Sequence, residues 1–244
     1  MKLRTLIVED EPLSQHYLGS LLKHLPLVEV VAKAGTEEEA IASIQSLKPD
    51  LVFLDIELHS GTGFEVLRKT QPQTYSVVFT TALEQQAIKI IKLSGVPFLQ
   101  KPIDAEELAR KVNDVQKNGE EVKTSLAYLL QALHNDCKPY HMALHGEKGL
   151  EYAELEQVVY VTAESGTVFH LQNSVQRTDT RPFKEIEALL TDFGFFRVSA
   201  AHMVHLHNVK NILPGGDKLL LSDGSIIPLS PKRHAALATL LKQP

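Results

Sequence analysis

The chain has 244 residues, 43% of them hydrophobic and 23% charged, with a formal net charge of −5. That length suits two domains, and the composition is that of an ordinary globular protein. No apolar stretch nears the length of a membrane span, and the apolar run at the N-terminus is short and ends in acids, unlike a signal peptide, which predicts a cytoplasmic protein without membrane insertion. Cys137 stands alone, which excludes an internal disulfide framework and a cysteine-based zinc site. Residues 1–138 carry 15 Lys/Arg against 19 Asp/Glu, and residues 139–244 carry 10 against 11. Neither half has the basic excess of a strong nucleic-acid binder.

The first half alternates apolar runs with helical patterns. Leu3–Val8, Val28–Ala34, Leu51–Leu54, Ser76–Phe79 and Val96–Leu99 are short and continuous, as strands buried on both faces of a parallel sheet are. Between the first two runs, Leu13, Tyr17, Leu18, Leu21, Leu22 and Leu25 follow a helical period, with Pro12 near the start. Thr36-Glu-Glu-Glu39 is a capping box that opens a second helix carrying Ala40, Ile41, Ile44 and Leu47, which Pro49 stops. Phe64–Arg68, Ala87–Leu93 and Leu108–Val115 supply the rest. Five βα units predict a doubly wound α/β domain.

The chemistry collects where these strands end. The first strand runs into Glu9, Asp10 and Glu11, and the third into Asp55. The fourth ends in Thr80-Thr81-Ala82 and the fifth in Gln100-Lys101-Pro102, where a cis peptide before Pro102 would suit a lysine pointed inward. Open α/β sheets place their sites at this edge. Carboxylates gathered there repel one another unless a cation joins them, and hard oxygens suit magnesium. An acid pair, a lone acid, a hydroxyl and a lysine form a phosphoryl-transfer constellation, with Thr81 donating a hydrogen bond and Lys101 balancing charge. A dinucleotide site is excluded, because acids stand where G-x-G-x-x-G belongs; Gly61-Thr-Gly63 reads as a turn opening the third helix. An aspartate-nucleophile phosphatase would carry a second aspartate two residues after the first, where Glu57 stands, and no cap domain is evident. No enzymatic activity of the chain's own is expected.

Leu6-Ile-Val-Glu-Asp-Glu-Pro12, Leu51-Val-Phe-Leu-Asp55, Phe79-Thr-Thr-Ala82 and Phe98-Leu-Gln-Lys101-Pro102 resemble the receiver domain of two-component response regulators over about residues 1–120. The resemblance implies that Asp55 accepts a phosphoryl group from a sensor histidine kinase. It implies that Glu9, Asp10, Asp55 and the backbone carbonyl of Glu57 hold Mg2+. It makes Thr81 the switch hydroxyl and Phe98 the rotating switch aromatic. Glu9 replaces the commoner aspartate and still ligates, and Phe98 lacks the hydroxyl of the usual tyrosine.

From Leu108, residues Leu108, Val112, Val115, Gly119, Val122, Leu126, Leu129 and Leu133 recur at alternating spacings of four and three. Two readings fit. One is a continuous helix whose far half pairs with a second subunit in a homodimer. The other is a break at Asn118-Gly119 followed by a second short helix. His134–Pro139 ends the helix as a linker.

After Pro139 the pattern turns to strands: Tyr140–His145, Leu150–Tyr152, Val158–Thr162, Val168–Gln172 and Val175–Thr180, with turns at Gly146–Gly149 and Glu164–Gly166. A helix opens at Arg181-Pro182 and carries Phe183, Ile186, Leu189 and Leu190. Strands Phe195–Val198, Asn211–Leu213, Leu219–Leu221 and Ile226–Leu229 follow, and Ser230-Pro231 starts a last helix. Seven of the 11 histidines lie in this half. His202, His205 and His207 lack the spacing of a helical zinc pair and read as surface or packing residues.

Leu155-Glu-Gln-Val-Val-Tyr-Val161, Gly194-Phe-Phe-Arg-Val198, Ala201–Val209 and Asp223–Ser230 with Lys232-Arg233 resemble the LytTR DNA-binding domain over about residues 140–241. The resemblance implies an elongated β fold that docks loops into DNA grooves. Ala200 and His205 stand where the family has the arginine and asparagine that contact DNA. Lys232, Arg233, Arg197 and Lys210 remain to grip phosphates, and His202 and His205 to donate to bases or phosphates. The expected architecture is a receiver domain at 1–119, a helical linker at 120–138 and a mostly-β LytTR-like domain at 139–244. The expected function is phosphorylation-controlled binding of promoter DNA, with a protein interaction of the diverged second domain as the alternative.

Overall fold

Five strands of the first half pair in parallel in the computed structural model, which describes residues 2–70, 72–82, 86–135, 138–147, 149–164 and 166–241. The chain packs as two units, Met1–Pro139 and Tyr140–Pro244. Cys137 and the central residues of two expected turns, Lys148 and Ser165, lie outside the described residues.

In the first unit the elements are β1 (Leu3–Val8), α1 (Pro12–Lys23), β2 (Val28–Ala34), α2 (Glu37–Leu47), β3 (Leu51–Asp55), the short pair β4 (Glu57–Leu58) and β5 (Gly61–Thr62), α3 (Gly63–Lys69), β6 (Ser76–Thr81), α4 (Gln86–Ser94), β7 (Phe98–Gln100), α5 (Ala105–Lys117) and α6 (Gly119–His134). The sheet order β2-β1-β3-β6-β7 reverses direction of growth at β1 and β3. That reversal opens a crevice at the carboxyl edge, where such sheets bind ligands. Every residue of β3 is buried. Phe53 is fully buried in a core with Ile7, Leu18, Leu22, Val78, Leu99, Leu108 and Val112. Each such side chain contributes about 1.5–3 kcal/mol to holding the layers together.

Local chemistry sets the helix ends. Pro12 begins α1. Thr36 Oγ1 accepts the N–H of Glu39, while Glu39 Oε2 accepts the N–H of Gly35, one residue earlier than a standard capping box. Lys48, in the left-handed region at φ 47°, ends α2 just before Pro49. Asp104 Oδ1 caps α5 through the N–H of Glu107.

Three expectations change, and one of the two readings of the long helix holds in its break. The fifth strand is Phe98–Gln100 rather than 96–99, since Val96 and Pro97 lead into it. Leu25 falls beyond α1, which ends at Lys23. The turn expected at Gly61–Gly63 is a two-stranded hairpin, with Glu57 paired to Thr62 and Leu58 to Gly61. The long helix breaks at Asn118, whose φ of −122° and ψ of 33° leave the helical region. After the break, α6 is no short piece. Its 16 residues bury Val122, Leu126, Leu129 and Ala132 against α4 and β6 of its own unit. Val122, Leu126 and Leu129 of the stripe's far half are therefore covered within their own unit, and Leu133 is half-buried.

The second unit comprises β8 (His141–Gly146), β9 (Gly149–Glu154), β10 (Val158–Ala163), β11 (Thr167–Leu171), β12 (Gln176–Asp179), α7 (Phe183–Leu190), β13 (Phe195–Arg197), β14 (His202–His205), β15 (Val209–Ile212), β16 (Lys218–Leu221), β17 (Ile226–Pro228) and α8 (Pro231–Leu240). An antiparallel sheet β12-β11-β10-β14-β13, a three-stranded sheet β15-β16-β17 and the hairpin β8-β9 make it mostly β. Val159, Val198, Val204, Leu219, Leu221, Ile227 and Leu237 form a core that includes α8. The strand β14 was not expected: its histidines hid an inner strand that pairs with both β10 and β13.

Candidate functional site

Val8 lies beside Leu54 in the parallel register, so Glu9 and Asp55 leave the sheet as neighbours. Carboxylate oxygens of Glu9, Asp10 and Asp55 all lie within 4.8 Å of one another. Lys101, after the cis peptide that joins it to Pro102, reaches into this cluster from the end of β7. Its Nζ donates to Asp55 Oδ2 at 2.5 Å and sits 2.9 and 2.7 Å from the two oxygens of Glu9. The side chains of Glu9 and Asp55 are only 1% and 7% exposed. Burial raises the pKa of Glu9, and the nearby charge of Asp55 adds to this while the Lys101 hydrogen bond opposes it. Burial works against the Lys101 ammonium, but the hydrogen bonds it donates to Asp55 and Glu9, with their negative charges, outweigh it and raise the pKa. The lysine is therefore a fixed cation among three acids.

The hairpin β4-β5 closes the site. The N–H of Glu57 donates to Asp55 Oδ1 at 3.2 Å, and the N–H of His59 donates to Asp10 Oδ2 at 2.7 Å. The exposed ring of His59 also contacts that oxygen through Nδ1. Thr81, 1% exposed, ends β6 one residue beyond Thr80, the neighbour of Asp55 across the ladder. Phe98 is half-buried, with Lys92 Nζ 5.4 Å and Lys111 Nζ 6.0 Å from its ring centroid. Three carboxylates against one ammonium leave a net negative site of hard oxygens, a donor set that fits magnesium.

Sequence reasoning read past Gly63. A Cβ there would run into the carbonyl oxygen of Asp55 and stand 2.9 Å from Leu54 Cγ. The Asp55 backbone rests on the first residue of α3, and only glycine leaves room. Gly63→Ala is expected to destabilise the first unit by about 1–3 kcal/mol. It should also slow modification of Asp55, read by denaturation and by phosphoryl incorporation; an unchanged rate would refute the close-approach role. A glycine at a helix start is the only sequence signal, and it does not distinguish this use from a turn.

In the second unit, Lys210, Lys232 and Arg233 are exposed, and no ion pair engages them among the described residues. Arg197 is committed internally: it pairs with Glu187, donates to the carbonyls of Ser199 and Ala200, and stacks over Phe183 at 5.1 Å. His202 and His205 alternate to opposite faces of β14, so they do not share a ligand. His202 Nδ1 lies 2.9 Å from Ser199 Oγ. The His205 ring stacks on Phe195 with centroids 4.5 Å apart. Burial lowers the pKa of both, which keeps them neutral at pH 7.

Two family models match the chain in order: the response regulator receiver domain over residues 5–113 and the LytTr DNA-binding domain over residues 148–242. A response regulatory protein of Vibrio cholerae serotype O1 is 33% identical over 92% of this chain and 93% of its own length. The chain belongs to the LytTR response regulators. The sensory transduction protein LytT of Bacillus subtilis (strain 168) is 29% identical, and that of Bacillus anthracis 26%; each comparison covers 98% of this chain and 99% of the relative. This response regulator joins a receiver domain to a LytTR DNA-binding domain, the build of a phosphorylated regulator of transcription. A protein-interaction role for the second domain is not favoured. No described helix is long and apolar enough to cross a membrane.

Proposed function

We propose that this chain is a cytoplasmic regulator, that a sensor histidine kinase transfers a phosphoryl group to its Asp55, and that the modified regulator binds promoter DNA more tightly. The observation that carries this reading is the trio Glu9, Asp10 and Asp55 at the sheet edge, with Lys101 bridging Glu9 and Asp55. In the transfer, an Asp55 oxygen forms a bond to phosphorus while the bond from phosphorus to the kinase imidazole breaks, its electron pair returning to that ring. Glu9, Asp10, Asp55 and the Glu57 carbonyl would hold Mg2+. When bound, the ion neutralises charge on the phosphoryl oxygens. Lys101 is already in place to follow that charge, Thr81 donates its hydroxyl to a phosphoryl oxygen, and Phe98 turns inward behind it. The receiver domain, in this proposal, extends through α6, and the DNA-binding domain begins near Tyr140.

Lys210, Lys232 and Arg233 are assigned to DNA phosphates and His202 to a polar contact, whereas Arg197 and His205 support the β13-β14 edge. So few free cations make binding by one protomer weak, which favours two protomers on paired half-sites. The test measures binding of genomic DNA fragments to the full chain across a salt series, with and without a phosphoryl mimic and magnesium. Selective binding that tightens with the mimic supports the proposal, and no selective binding in either state at low salt would sink it. Lys232→Ala with Arg233→Ala should weaken binding to all sequences alike and reduce the salt slope by about 2.

A further inference from the structure

Glu37, the first residue of α2, is buried although the helix does not need it as a cap: Thr36 and Glu39 already satisfy the first turn. Its carboxylate does two other things. Oε1 pairs with Lys69 Nζ, at the end of α3, at 2.5 Å. Oε2 rests directly on Gly61, so closely that any Cβ at that position would collide with it, and Gly61 holds φ at +155°. The backbone N–H of Glu37 also donates to Ser60 Oγ at 3.0 Å. Ser60 lies in the turn of the β4-β5 hairpin, and Gly61 opens its second strand.

The opposite arm of that hairpin serves the acidic cluster. Its N–H at Glu57 holds Asp55, the N–H of His59 in the turn holds Asp10, and Glu57 supplies the carbonyl assigned to the metal. A two-residue ladder has little rigidity of its own. What fixes it is the base, where Gly63 N–H donates to the Ile56 carbonyl at 3.0 Å, and the clamp at its turn. The hydrogen bond that Lys69 donates to Glu37 raises the pKa of Lys69, which favours its charged form.

We propose that Glu37, clamped by Lys69, is a positioning residue for the metal site: it seats the hairpin so that the Glu57 carbonyl and the Glu57 and His59 N–H groups face the carboxylates. This rests on the assignment of magnesium to Glu9, Asp10, Asp55 and the Glu57 carbonyl. Groups that orient metal ligands typically change affinity by 10- to 100-fold when removed. Glu37 acts through a backbone segment, so the lower end applies.

The experiment titrates the full chain with Mg2+ by calorimetry, without a phosphoryl donor, for the native chain, Glu37→Ala, Glu37→Gln, Lys69→Ala and Asp55→Asn. The same proteins, Asp55→Asn excepted, are then phosphorylated by a small-molecule phosphoryl donor across a magnesium series. Glu37→Ala should weaken Mg2+ binding about tenfold and shift the half-saturating magnesium for phosphorylation equally, with the rate at saturation within about twofold of native. Glu37→Gln, which keeps the shape against Gly61, should recover most of the affinity, and Lys69→Ala should fall between. Equal Mg2+ affinity in Glu37→Ala and the native chain overturns the proposal. So does a loss of saturating rate that tracks a loss of thermal stability, which marks a purely structural role. Weakened Mg2+ binding in Asp55→Asn shows that the underlying metal assignment stands in either case; undiminished binding there would bring down that assignment and the proposal together.

Discussion

Lys101→Ala is expected to slow phosphorylation of Asp55 by roughly 10²–10³-fold, the scale of losing a preorganised charge at a reacting group. It should also make the stability of the first unit strongly dependent on pH. Lys101 is the cation that touches both Glu9 and Asp55, at 2.5–2.9 Å. Without it three carboxylates face one another, two of them buried. In the native chain the pKa of Glu9 already lies above its ordinary 4.5, burial foremost, with Lys101 holding it down. A raised acid means that the folded state binds a proton more readily than the unfolded state. Its contribution to stability is full below the unfolded value of about 4.5 and is lost as pH rises through the folded value. Removing Lys101 moves that folded value further up, so the loss extends toward neutrality. Denaturation followed by circular dichroism should show Lys101→Ala close to native near pH 5 and less stable by about 2–3 kcal/mol at pH 8. Magnesium should restore part of the difference, because it supplies the missing positive charge. A variant whose stability is flat between pH 5 and 8 would show that the acids find another partner.

The same residues explain why this site was legible in the sequence. Glu9, Asp55, Thr81 and Lys101 each follow a continuous apolar run, and a run buried on both faces has one place to put a charge: its end. Parallel pairing then brings those ends to one edge. The roles of Gly63 and Glu37 were not legible, because they depend on how closely two backbones approach, and no pattern along the chain encodes that distance. The β4-β5 hairpin is two residues deep, too short for a period to show. The stripe through α6 was visible, but an amphipathic stripe does not say what covers it, and the break at Asn118 turned it onto α4 and β6. In the second half, β14 escaped because histidines occupy both of its ends. Its inner residues, Met203 and Val204, are fully buried on opposite faces and leave only two apolar positions to signal a strand.

In the second unit the largest loss of stability is expected from Arg181→Ala. Asp179 has a fully buried side chain, and Arg181 is 11% exposed. The guanidinium meets both carboxylate oxygens, Nε at 3.0 Å from Oδ1 and Nη2 at 2.6 Å from Oδ2. Nη2 also donates to the Ala143 carbonyl at 2.7 Å, and the N–H of His145 donates to Asp179 Oδ2 at 3.2 Å. The pair therefore ties β8 to the end of β12. Alanine would leave a buried carboxylate with backbone donors alone, a loss of about 3–5 kcal/mol. Arg181→Lys keeps the charge but not the two-pronged geometry, so it should lose less than alanine and still more than a surface change. Replacing both members with apolar residues of similar size should recover most of the loss, because the penalty comes from the stranded charge and not from the missing bond. Two-unit denaturation curves of the full chain would show the effect as an earlier unfolding of the second unit, with DNA binding lost in step and phosphorylation of Asp55 unchanged. Should Arg181→Ala and the apolar double variant be equally unstable, the ion pair would be acting through packing alone.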